Sequence, residues 1–215
     1  MYKLYNVKAW GSISIHCLLE EMEVPYTNIW MTAEQVRAPE FREFSPLGMI
    51  PALGLADGRT LYESAAIVSF LVAAHPDKQM SPQLGSEAYG DFMSLLHMMS
   101  TELYPTISLA FGGNAYAQTP EQDAFIVETA EARADTYWKL LEKRLTKATP
   151  WLMGRDFSAL DIYAFMLSIW GRPSETALHG KFPAIAKLAA SVRARPKLKA
   201  VLESHGVLEL GGYPA

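Results

Sequence analysis

A single cysteine, Cys17, in 215 residues leaves this chain without a disulfide framework or a cysteine metal cluster. That is the cysteine usage of a reducing compartment. The five histidines show no HxxxH or similar pairing, so no metal site is expected. No uninterrupted apolar run approaches the roughly 20 residues that cross a bilayer, and the opening MYKLYNVKAW lacks the apolar core of a signal peptide. Basic residues are in the minority: 19 Lys and Arg against 23 Asp and Glu give a net charge of −4, with no basic footprint for nucleic acid. What is present is an ordinary globular balance, 50% hydrophobic and 20% charged, in a length that suits one domain or two modest ones. The expectation is a soluble, cytoplasmic protein with no membrane and no nucleic-acid partner.

Residues 45 to 64, SPLGMIPALGLADGRTLYES, carry the most information. Ser45-Pro46-Leu47-Gly48 is a turn cluster. Ala52-Leu53-Gly54-Leu55 is extended and apolar, and Asp57-Gly58 signals a hairpin into Thr60-Leu61-Tyr62. Glu63-Ser64 then opens the apolar helix Ala65 to Val72. Pro51 would break a central ladder, unless the Ile50–Pro51 bond is cis and Ile50 faces a ligand in place of a neighbouring strand.

The flanking segments place this block in a larger order. Lys3–Val7 reads as a strand, Ser14–Met22 as a helix and Pro25–Trp30 as a second strand. Thr32 to Phe44 is polar and loosely helical, with Pro39 interrupting it. The sum is β-α-β-α-β-β-α, a mixed α/β layer. His75-Pro76-Asp77 ends that unit, and Ser81-Pro82-Gln83-Leu84-Gly85 is a linker. Beyond it strand alternation stops. Long helices are predicted over Ser86–Phe111 and Pro120–Lys147, a mostly buried one over Asp156–Ile169, and shorter ones over Phe182–Ala194 and Pro196–Ser204. The organisation expected is an α/β domain over 1–78 and an all-α domain over 83–215. Ser158 with Asp161 has capping-box spacing.

The motif P-x-G-x-[VI]-P-x-L, an acidic-glycine hairpin and Glu-Ser before an apolar helix stands here as Pro46, Gly48, Ile50, Pro51, Leu53, Asp57-Gly58 and Glu63-Ser64. It resembles the glutathione-binding half of the glutathione S-transferases, and G-x-x-x-S-x-x-D at Gly154, Ser158 and Asp161 resembles their second-domain folding signature, with Leu160 where alanine is frequent. Nearly the whole chain is covered. The resemblance implies a thioredoxin-like first domain, an all-helical second domain, a cytoplasmic homodimer and a role in detoxification. It implies glutathione as co-substrate, no metal, and a small hydrophobic electrophile as the second substrate. Glutathione-dependent isomerase, dehalogenase or ether-cleaving chemistry, and a non-catalytic regulatory role, remain open on the same scaffold, because function lives in the site.

The chemistry needs a hydrogen bond to the glutathione sulfur, since the thiolate is the nucleophile and a free thiol titrates near ~8.5. The loop Ala9-Trp10-Gly11-Ser12-Ile13-Ser14 is where the family keeps that group. Compared with the bacterial beta class, Gly11 falls on that class's cysteine and Ser12 on the serine after it, which rules out chemistry through a cysteine disulfide. Ser12 is the catalytic candidate, with helix capping as its plain alternative and Ser14 as the register-shifted one. Glu63 and Ser64 are expected to grip the γ-glutamyl end at a helix start, or else to serve only as a cap. Ile50, fixed by Pro51, should offer its backbone to the cysteinyl residue as an added strand would. Gln35 and Arg37 are the nearby candidates for the glycyl carboxylate. The resemblance further places Glu102 and His97 at the partner subunit's glutathione, and Trp10 and Tyr104 against the electrophile. Tyr104 as interdomain packing and His97 as a surface histidine are the alternatives. Cys17 reads as a buried small hydrophobe.

Overall fold

The structure is a computed structural model that describes residues 1–113, 116–148 and 150–213. Strand β1 (Tyr2–Asn6) is followed by helix α1 (Ser12–Glu21), β2 (Tyr26–Trp30) and the short α2 (Ala33–Arg37). A 3₁₀ turn over Pro39–Glu43 leads to the hairpin β3 (Ala52–Gly54) and β4 (Thr60–Tyr62), then α3 (Ser64–Ala74). The strands form one mixed sheet in the order β2-β1-β3-β4. β1 pairs parallel with β2 through Tyr2↔Tyr26 and antiparallel with β3 through Leu4↔Leu53. The sheet matches the expected thioredoxin-like order, and Ile50–Pro51 is cis, with Ile50 lying just outside β3. Gly58 takes φ 89 in the hairpin turn, where Asp57 Oδ1 accepts from the Arg59 amide at 3.0 Å.

The remainder is helical: α4 (Glu87–His97), α5 (Tyr104–Ala110), α6 (Pro120–Ala148), α7 (Ala159–Ser168), α8 (Glu175–Lys181), α9 (Pro183–Arg193) and α10 (Lys199–His205). The single helix expected over Ser86–Phe111 is divided by a π-helical turn, Met98–Leu103. The physical reason lies at Pro105, which has no N–H to donate and whose ring excludes the carbonyl four residues back. Helix α8 was not anticipated, because SETALHGK has too few apolar residues to show a helical period. No helix among the described residues is long and apolar enough to cross a membrane.

Every residue of α7 is buried, as its all-round apolar sequence requires. Its start is held by Asp161, whose Oδ2 accepts from the Ser158 amide at 2.8 Å and the Ser158 hydroxyl at 3.1 Å. Oδ1 accepts from the Leu152 amide at 2.8 Å. Burial nevertheless raises this carboxyl to about 6, against the three donors that favour its charge. One core cluster runs through both halves, from Leu4, Ile13 and Leu18 to Leu160, Phe165 and Leu202.

A buried polar chain crosses between the halves beside that core. The Ala9 amide donates to His205 Nδ1 at 3.0 Å, so His205 carries its proton on Nε2 and donates to His16 Nδ1 at 2.9 Å. His16 Nδ1 also accepts from Asn6 Nδ2 at 3.1 Å. Burial depresses His16 to about 4 and His205 to about 3, the latter also repelled by His16 and Lys8. Both rings are therefore neutral in the fold, whereas the unfolded chain protonates them near ~6.5. The unfolded state binds more protons below that value, so stability is retained above about pH 6.5 and lost as pH falls towards about 4. Asp161 acts in the opposite sense between about pH 6 and about pH 4, because its folded pKa is raised. The net expectation is an unfolding free energy about 2–3 kcal/mol lower at about pH 5 than at about pH 7. Urea unfolding across that range checks it, and His205→Gln should remove most of the loss, because one histidine's share of about 2 kcal/mol is nearly the whole net figure once Asp161 is set against it.

Candidate functional site

Two cavities meet where the sheet faces the helical half. The first, about 460 Å³, is lined by Ile50, Pro51, Glu63, Ser64, Ser100 and Tyr104 among others. The second, about 550 Å³, is lined by Trp10, Gly11, Arg37, Phe111, Trp170 and Tyr213. Ile50, Tyr104 and Ser108 belong to both walls, so the two adjoin in one cleft region of the size that holds a small ligand.

At the first cavity the hairpin ends on Glu63, which takes φ 67 and ψ 111. That conformation is costly for a residue with a Cβ. Its effect is to turn the chain sharply from β4 into α3, so that the unpaired N–H groups of the helix start open onto the cleft. Ser64 follows, buried, with Oγ sharing a 2.7 Å hydrogen bond with Tyr163 Oη from α7. Nearby, neither the amide nor the carbonyl of Ile50 has a hydrogen-bond partner among the described residues. A free donor and acceptor on one residue at a strand's edge suit an extended peptide.

At the second cavity the walls are aromatic. Tyr104 and Trp170 lie with ring centroids 5.1 Å apart, and Phe111 meets Tyr213 edge-on at 6.3 Å. Trp170 Nε1 donates to the Ala9 carbonyl at 3.1 Å, which fixes the indole against the loop that carries Trp10 and Gly11. Arg37 stands at the rim and makes no ion pair or hydrogen bond through its side chain among the described residues. Gln35 is already committed: its Oε1 accepts from the Thr32 amide at 2.9 Å in a capping box.

The structure corrects the expectation for Ser12. Its hydroxyl is fully buried and turned away from the cleft, accepting from the Val7 amide at 3.2 Å and donating to the Val7 carbonyl at 3.3 Å. It is not a side-chain cap either, since α1 begins at Ser12 with Gly11 as its capping residue. Ser14 is turned inward as well, donating to the Gly11 carbonyl at 2.9 Å. Both hydroxyls brace the β1–α1 loop. Trp10, Ile50, Pro51, Glu63, Ser64 and Tyr104 do converge on the cleft. Glu102 and His97 lie outside it. Glu102 accepts from Arg133 at 2.9 Å and Tyr137 at 2.6 Å, which hold its carboxyl below the usual range, and His97 Nδ1 donates to the Met93 carbonyl at 2.7 Å. Cys17 is buried, and burial pushes its thiol far up, so it is inert. Trp170, just past α7, was one of several aromatics that could line the chamber, while Tyr213 was not foreseen, since neither carries a local sign of what it faces.

Comparison with known proteins gives this cleft a context. The family described as "Glutathione S-transferase, N-terminal domain" matches residues 12–74, and "Glutathione S-transferase, C-terminal domain" matches residues 108–205. The GST-like protein YncG of Escherichia coli is 27% identical, with 97% of this chain and all of that protein covered. Among solved structures, a ternary complex of the bacterial GST BphK superposes with a TM-score of 0.82 at 25% identity, covering 95% of this chain and 99% of that one. A sphingomonad glutathione S-transferase complexed with glutathione does so with a TM-score of 0.80 at 25% identity and the same coverage.

The strain at Glu63 is separable from its carboxylate. Glu63→Ala keeps a Cβ at φ 67, whereas Glu63→Gly removes it. The glycine variant should exceed the alanine variant in unfolding free energy by about 1 kcal/mol, from roughly 1–3 kcal/mol of strain less the extra backbone entropy of glycine. Parallel denaturant titrations of the two check this, and equal stabilities would mean that Glu63 is relaxed.

Proposed function

Because the chain belongs to the glutathione S-transferase family, we propose that it joins the thiol of glutathione to a small hydrophobic electrophile. The observation that carries this reading is the adjacency of the two cavities. A peptide-sized groove with free backbone groups at Ile50 shares a wall with a chamber lined by aromatic rings. In this reading the γ-glutamyl ammonium meets Glu63, and its carboxylate meets the α3 start and Ser64. The cysteinyl residue pairs with Ile50, and the glycyl carboxylate reaches Arg37. The electrophile lies against Trp10, Phe111 and Trp170, whose walls exclude water from the reacting centre.

The thiol gives its proton to solvent, and the sulfur lone pair forms a bond to the electrophilic carbon. The leaving group departs with the electrons of the broken bond. The reading also pairs two copies of the chain. It is supported by the position of His97 and Glu102 outside their own cleft, where residues serving a partner's glutathione would stand. A cytoplasmic setting belongs to the same proposal. Glutathione binding without turnover is the second reading, favoured by one observation: neither loop serine hydroxyl reaches the cleft.

Isothermal calorimetry tests the placement of the tripeptide. Glu63→Ala should weaken glutathione by about 1.5–3 kcal/mol, roughly 10-fold to 150-fold, by removing a charge-assisted contact. Arg37→Ala should cost less than tenfold, since its partner would be met in exposed, screened surroundings. Full affinity in Glu63→Ala would move the tripeptide elsewhere. Turnover with any member of an electrophile panel would exclude the purely binding role.

A further inference from the structure

Gly11 has φ −55 and ψ −18, an ordinary right-handed helical conformation that any residue adopts. Its backbone does not demand glycine. The space around it does. A Cβ at this position would collide with Tyr104 Oη, stand 3.3 Å from Tyr104 Cζ and lie 3.5 Å from the Ile50 carbonyl oxygen. The phenol of α5 therefore enters the volume in which a side chain at position 11 would begin.

Three further observations define what that hydroxyl does. Tyr104 is a wall of both cavities, so it sits at the boundary between the peptide groove and the aromatic chamber. Its Oη makes no hydrogen bond within the described residues and is not sealed from the cleft, so it is free to donate to a bound ligand. Its ring is held against Trp170, which is itself tied to the Ala9 carbonyl, so the hydroxyl is held in place. Burial raises the Tyr104 pKa further above its ordinary value, so the phenol keeps its proton and acts as a donor, not a base.

We infer that Tyr104 Oη donates the hydrogen bond that holds the glutathione sulfur as a thiolate, and that Gly11 is bare in order to admit it. This rests on the reading that the cysteinyl residue of glutathione pairs with Ile50, whose carbonyl borders the same spot. The thiol proton leaves to water, and Tyr104 retains its own. As the sulfur lone pair becomes a bond to carbon, the hydrogen bond weakens with the charge it stabilised. Tyr104 is thus a catalytic residue contributed by the helical domain, in place of the loop serine.

The test reads the thiol directly, through the ultraviolet absorbance of glutathione thiolate bound to the full-length protein as pH is raised. The wild type should titrate below free glutathione. Tyr104→Phe, which keeps the ring, should bind glutathione within about threefold by calorimetry but titrate about 1–2 pH units higher. Turnover at neutral pH should fall about 10-fold to 100-fold and recover partly at higher pH. Gly11→Ala should show the same loss by displacing Oη, and should add nothing in a Tyr104→Phe background, where the colliding oxygen is gone. A Tyr104→Phe protein that binds glutathione and titrates like the wild type overturns the inference while leaving the glutathione reading intact. Failure of the wild type to bind glutathione overturns both.

Discussion

The backbone of Ala9 is gripped on both sides by the helical half: its amide donates to His205 Nδ1 at 3.0 Å and its carbonyl accepts from Trp170 Nε1 at 3.1 Å. Ala9 also takes φ 57, a conformation that alanine leaves unless it is held. The geometry of Trp10 and Gly11 therefore depends on residues near the far end of the chain. The cleft is a property of two domains docked in one arrangement. Its loop would relax if α10 or the end of α7 moved away.

That docking combines apolar area with a few polar ties. The shared core supplies the non-directional part, with Ile13, Leu18 and Leu19 of α1 buried alongside α7. Directional ties fix the register. Arg195 donates to both carboxylate oxygens of Glu21, at 2.8 and 2.6 Å, while its guanidinium lies 3.7 Å from the centre of the Phe157 ring. Such a fork with a stacked face is poorly replaced by lysine. The neutral His16–His205 pair adds a second tie without placing a charge beside the core. The arrangement leaves one loose end, since Asn6 Oδ1 is buried without a partner among the described residues.

The parts of the site that were legible in the sequence are the local ones. The hairpin at Asp57-Gly58, the cis bond before Pro51, the Glu63-Ser64 helix start and the Ser158–Asp161 cap are each written within a few residues, so their chemistry is visible in the string. Gln35 was misassigned to the glycyl carboxylate, although Thr32-x-x-Gln35 has the capping-box spacing that commits its amide. Ser12 was not legible. Whether a hydroxyl in the first turn of a helix faces out or in depends on what lies behind it, here the Val7 peptide. The Gly11–Tyr104 fit was hidden for the same reason. A glycine in helical conformation looks dispensable until the distant side chain that occupies its space is known. His205 sits in a short terminal helix whose sequence gives no sign of the Ala9 amide.

The π-helical turn over Met98–Leu103 sets the angular register of the helix that follows it. Such a turn closes i→i+5 hydrogen bonds and so holds about one residue more than an α-helical turn. Each residue of an α-helix advances the side-chain direction by about 100°, so everything beyond the turn is offset by about that angle from where an unbroken α-helix would put it. Tyr104 is the first residue past the turn. A regular α-helix through the same sequence would carry Tyr104 to another face of the helix, away from the β1–α1 loop. The wider turn thereby decides which functional group of this segment meets that loop.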